Sequence, residues 1–211
     1  MMWFETAFEL FGYPVSFLEL ISVSTGILAV YLAAKEHIWT WPVGLINICT
    51  AFFIYFHVHL YSDMFLQVYF LCISVYGWWF WTQEKRTNIP LKWLTRPQIL
   101  VCTAWMILGT LIFGWFISNI HTFLPDFFKS PAAFPYADSW VAVSSILANT
   151  LMAKRYIENW IMWILIDVLC VYLYVQKDIL FIAFEFLIFL GMAVFGLRNW
   201  IRYFKIQMRL S

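Results

Sequence analysis

Seven apolar runs, near 15–34, 39–60, 64–82, 99–120, 138–153, 157–176 and 179–198, punctuate the chain. A run of this kind spans the roughly 30 Å of a bilayer's hydrocarbon as a helix. In lipid the backbone has to satisfy its hydrogen bonds within the segment, so helices are the expected element. The fifth run is short, and its assignment leans on the repeat described below. Composition excludes the soluble alternative: 64% of the 211 residues are apolar and 12% charged, against about 25% charged in an ordinary globular domain. A net charge of +1 gives no pull toward nucleic acid. The sequence therefore predicts an all-α membrane protein of seven transmembrane helices.

Lysines and arginines orient it. Lys35, Lys85, Arg86, Lys92, Arg96, Lys154, Arg155, Arg198, Arg202, Lys205 and Arg209 fall on one side of the predicted bilayer, and only Lys129 and Lys177 on the other. With seven spans this places the N-terminus outside and the C-terminus, with a tail over 201–211, in the cytoplasm. Residues 1–14 lack a basic start and a small-residue cleavage site. Trp3, Phe4, Phe8 and Phe11 share a helical face, which predicts an amphipathic surface helix closed by Gly12 and Pro14. Cys49, Cys72, Cys102 and Cys170 lie inside apolar runs without a CxxC pair, as expected of free thiols.

A shift of 119 residues lays the first half of the chain on the second. Ile27-Leu28-Ala29 falls on Ile146-Leu147-Ala148, Trp41 on Trp160, Gly77 on Gly196 and Trp81 on Trp200. Over 19–81 against 138–200, 15 of 63 positions are identical, where this composition gives roughly 4 or 5 by chance; self-similarity at a fixed offset marks a structural repeat. Each unit, 15–82 and 138–200, holds three spans. Two such units share an orientation only when an odd number of spans separates them, and 99–120 supplies that linker span. The expected architecture is 3 + 1 + 3 with parallel repeats, an arrangement found in transporters that bind substrate between the halves.

Polar groups at membrane depth are the functional candidates. Asp167 sits near the middle of span six and shares a face with Trp160, Trp163 and Tyr174. Asn47 lies at similar depth in span two. Gln67 and Ser74 share a face of span three, as do Ser145 and Asn149 of span five. Glu185 is a weaker candidate. Glu19 and Asp138 begin their spans, where a negative charge suits the helix dipole, and read as structural. His57 and His59 end span two without placed partners and read as surface histidines, so no metal site is expected. No P-loop, GxSxG or HExxH occurs, and no enzyme or cofactor is expected. No Lys or Arg lies deep in any span. A carboxylate among aromatic rings suits a flat neutral or cationic ligand better than a phosphorylated one.

Trp39-Thr-Trp41-Pro-Val-Gly44-Leu-Ile-Asn47, Val75-Tyr76-Gly77-Trp78-Trp79 and Glu158-Asn159-Trp160-Ile-Met-Trp163-Ile-Leu-Ile-Asp167-Val resemble the signature stretches of the PnuC vitamin transporters. The resemblance covers nearly the whole chain apart from the N-terminal segment and the 121–137 loop. It implies a bacterial inner-membrane importer of nicotinamide riboside, working as a facilitator whose net uptake is sustained by cytoplasmic phosphorylation through a nucleoside kinase. It also implies a fold like that of the SWEET sugar transporters and a homotrimer. By the motif match Asn47, Trp160, Trp163 and Asp167 line the site, with Gln67 and Asn149 added from depth and face. Relatives of this family carry thiamine or riboflavin, and a SWEET-like sugar uniporter is a further alternative.

Overall fold

The computed structural model describes residues 6–10, 13–57, 61–87, 89–123, 134–176 and 180–210. Seven helices occur among them: α1 (Phe17–Ala34), α2 (Thr40–His57), α3 (Tyr61–Thr87), α4 (Arg96–Phe123), α5 (Pro135–Ala153), α6 (Glu158–Gln176) and α7 (Leu180–Leu210). Each expected span contains one helix. Helices α1, α2, α4, α6 and α7 are long and apolar enough to cross a membrane. The lower apolar content of α5 reflects an interior face that buries Ser139, Ser144, Ser145 and Asn149. On α4 most exposed residues are apolar, with Leu100, Val101 and Ile112 all more than 60% exposed. A surface of this kind has lipid as its solvent. The chain is a multi-pass membrane protein.

The surface helix expected over 1–14 is corrected where the structure describes it. Thr6–Leu10 is a strand, β1, paired antiparallel with β2 (Tyr13–Ser16), with Leu10 opposite Tyr13 and Glu9 opposite Pro14. Two effects favour the hairpin. A helix this short is marginal on its own, and Pro14 holds the residue before it in extended backbone. Trp3, Phe4, Glu5, Phe11 and Gly12 lie outside the described residues, as do His59, Lys129 and Lys177. The strand delivers Ser16 as the N-cap of α1: its hydroxyl accepts from the Glu19 N–H at 3.2 Å, and the Glu19 carboxylate accepts from the Ser16 N–H at 2.7 Å. Glu19 therefore works as a capping box, the structural role its position suggested. At the other terminus the expected tail is a continuation of α7, which runs about 46 Å at 1.5 Å per residue and so outreaches the bilayer core.

Six helices close a ring in the order α1, α2, α3, α5, α6, α7, and α4 packs outside it on α5. At one end α1 and α5 finish identically. His37 N–H donates to Leu32 O and Glu36 N–H to Ala33 O; Tyr156 N–H donates to Leu151 O and Arg155 N–H to Met152 O. These are two Schellman caps. Glu36 (φ 54°) and Arg155 (φ 63°) occupy the left-handed positions that glycine usually fills. Beside each cap a tryptophan ring packs against a helical glycine. A Cβ at Gly196 would stand 2.7 Å from the Trp160 ring, and one at Gly77 would strike Trp41 as hard.

The α3–α4 connection adds a strap across the same end. Lys92 N–H donates to Arg155 O at 3.2 Å and Ile157 N–H to Lys92 O at 3.0 Å. Leu94 N–H donates to Glu158 Oε1 at 2.7 Å, and Leu91 N–H to Gln207 Oε1 at 3.1 Å. Leu91 is buried beneath it.

Candidate functional site

The ring encloses a cavity of about 270 Å³, and all six of its helices contribute to the wall. The six sequence candidates meet there: Asn47 from α2, Gln67 from α3, Asn149 from α5, and Trp160, Trp163 and Asp167 from α6. Ser74, one helical face with Gln67, lines it too. Spacing along α6 explains the grouping, since 160, 163 and 167 stand one above another on a helix. Tyr174 continues that face in sequence but leaves the wall, stacking instead on Phe186 at 5.5 Å. Ser145 and Glu185 also lie outside the wall.

The polar groups divide into two kinds. Asn47 is partly committed: its amide donates to Ser22 O at 2.7 Å and to Ser22 Oγ at 3.2 Å, which leaves its carbonyl oxygen as the available function. Gly26 permits this approach, because a Cβ there would sit 3.1 Å from the Asn47 amide nitrogen. Gln67, Asn149 and Asp167 are all more than nine-tenths buried, yet none bonds another protein group among the described residues. Buried polar groups are almost always hydrogen-bonded. Here three such groups face one cavity together.

The two tryptophans of α6 also differ. Trp160 is 1% exposed, wedged on Gly196 and held edge-on to Trp200 at 5.7 Å. It forms a wall and floor rather than an open stacking face. Trp163 is only partly buried and is the candidate ring with room beside it. Sequence reasoning missed Trp41 and Thr40, which also line the cavity. The repeat already pointed to Trp41, the position that pairs with Trp160. The described wall holds no Lys or Arg, and Asp167 is its one carboxylate.

A multi-helix membrane ring around a small, polar-studded cavity defines a transporter of small molecules. The family model described as "Nicotinamide mononucleotide transporter" matches residues 16–202, and the chain belongs to this PnuC family. It is 30% identical to the nicotinamide riboside transporter PnuC of Escherichia coli (strain K12), over 90% of this chain and 87% of that protein. It is 24% identical to the riboflavin/roseoflavin transporter RibM of Streptomyces davaonensis, over 95% and 92%. A crystal structure of the vitamin B3 transporter PnuC superposes with a TM-score of 0.69 at 26% identity, covering 91% of this chain and 83% of that one. These relatives are transporters, not enzymes.

Proposed function

We propose that the chain imports nicotinamide riboside across a bacterial inner membrane by facilitated diffusion, with uptake sustained by phosphorylation of the nucleoside inside. The observation that carries this reading is the wall itself: among the described residues it holds one buried carboxylate and two buried amides without protein partners, an accessible indole, and no cation. Nicotinamide riboside has a flat pyridinium ring of fixed positive charge, an amide and ribose hydroxyls. Trp163 stacks on the ring, Asp167 offsets its charge or accepts from a hydroxyl, and Gln67, Asn149 and the Asn47 carbonyl take the remaining polar groups. A cavity of about 270 Å³ stands at the small end of ligand sites, which usually run about 300–1,000 Å³. That favours a single-ring nucleoside over a three-ring flavin.

The same reading takes the halves as parallel 3 + 1 + 3 repeats, supported by the duplicate Schellman caps and Trp–Gly wedges at a 119-residue offset. It takes the basic end as cytoplasmic, from the lysine and arginine distribution, and the assembly as a homotrimer, from the family. Calorimetry on the purified transporter tests the substrate. Nicotinamide riboside should bind well and its 5′-phosphate far more weakly, since a phosphate finds no cation in the wall. Equal affinities overturn the reading. Proteoliposomes holding a trapping kinase and ATP should accumulate label, while those without should only equilibrate. Accumulation driven by a proton or sodium gradient alone overturns the facilitator mechanism.

A further inference from the structure

Between the cavity and the basic end, the ring is shut by a layer that the substrate reading does not use. Trp41 meets Trp81 edge-on at 5.3 Å, Trp81 reaches Trp200 at 6.1 Å, and Trp200 meets Trp160 at 5.7 Å. All four indoles are at most 2% exposed. Trp81 Nε1 donates to Ala153 O at 3.1 Å and Trp200 Nε1 to Ala33 O at 2.9 Å. Each half thus caps the other's helix end. Beyond them Arg155 donates to the Glu36 carboxylate, its guanidinium 5.3 Å from the Trp81 ring. The two side chains are 2% and 15% exposed.

Glu36 and Arg155 are 119 residues apart, the repeat offset. Both occupy left-handed backbone, where glycine is the least strained residue. The chain instead keeps opposite charges at the two matching positions, and they meet across the interface between the halves.

We propose that this layer is the gate at the basic end of the transport path, with the Glu36–Arg155 pair as its latch. The proposal rests on the cavity being the transport route. A solute leaving it in this direction passes Ala33 and Met152, the lining residues nearest the ends of α1 and α5, and then the four indoles. The indole hydrogen bonds and the ion pair all join α1–α3 to α5–α7. Separating the halves here breaks them together, whereas movement within one half breaks none. An ion pair suits a latch that must release. Desolvation offsets much of its attraction while closed, and water restores the hydration of both charges once it opens.

Thiol accessibility tests the gate without any substrate. In a variant whose four native cysteines are replaced by alanine, Ser74→Cys reports on the cavity. A membrane-impermeant thiol reagent is added to oriented vesicles from the basic-end side. Glu36→Gln should speed labelling about tenfold, the change that about 1.4 kcal/mol of lost closure gives. The charge swap Glu36→Arg with Arg155→Glu should restore slow labelling. Unchanged labelling in a folded Glu36→Gln protein overturns the proposal, as does a swap that labels as fast as the single variant. Where the swap does not fold, Glu36→Cys with Arg155→Cys, bridged by a bifunctional methanethiosulfonate, should stop uptake until reductant is added. Undiminished uptake in the bridged protein overturns it equally. A failure to bind nicotinamide riboside leaves the labelling result intact, so the two readings fail separately.

Discussion

The α2 and α6 walls of the cavity start from the same plan and finish differently. Both helices begin with a tryptophan pressed on a glycine of the last helix in their half, Trp41 on Gly77 and Trp160 on Gly196. Deeper in, they diverge. Asn47 of α2 is tied by its amide to Ser22, while Asp167 of α6, one position off at the 119-residue offset, has no partner among the described residues. The contacts that close the bundle are alike in the two walls. The groups facing the cavity differ, and the proposed ligand, with a charged amide-bearing ring at one end and a ribose at the other, has no two-fold symmetry of its own.

The largest expected effect breaks the α6 side. Asp167→Asn removes charge but keeps shape, and hydrogen bonds to a charged group are worth about 1.5–3 kcal/mol. Affinity for nicotinamide riboside should fall roughly ten- to hundredfold, and affinity for an uncharged reduced analogue far less, both by calorimetry. Equal losses would assign Asp167 to hydrogen bonding rather than to charge. Next come the shared wedges. Gly77→Ala and Gly196→Ala each force a methyl into an indole, and overpacking costs about 1–3 kcal/mol. Thermal unfolding in detergent should show similar drops in the two variants; a drop at one position alone would mean that the wedges are not equivalent. Trp163→Ala should cost about 1–2 kcal/mol of stacking on a cationic ring, read as a five- to thirty-fold rise in Kd with little change in melting temperature. The smallest effect belongs to α2: Asn47→Ala loses the Ser22 bonds, about 1 kcal/mol, and should lower melting temperature as well as binding. That mixture would separate it from Trp163.

Helix number and placement were legible because each span is a long apolar run between polar breaks. The cavity candidates were legible because a carboxylate or amide at membrane depth has few other uses. Three features were not. Thr6–Leu10 is too short for its apolar pattern to separate helix from strand, and pairing with Tyr13–Ser16 decides it. Arg202, Lys205 and Arg209 make the end of α7 look like a solvated tail, yet Ile201, Tyr203 and Phe204 beside them pack on the buried core. Trp160 and Trp163 look equivalent in sequence, but whether an indole offers its face or is spent as a wedge depends on Gly196, which lies in another helix.

The strap over residues 91–94 makes the two halves mechanically unequal. Its four bonds reach the α5–α6 turn, Glu158 of α6 and Gln207 of α7, and none reaches α1 or α2. Sliding α6 against the end of α7 would have to tear that stitching, whereas tilting α1 and α2 leaves it whole. The strap therefore ties the α3–α4 connection to the second half at this end and leaves α1 and α2 outside the stitching.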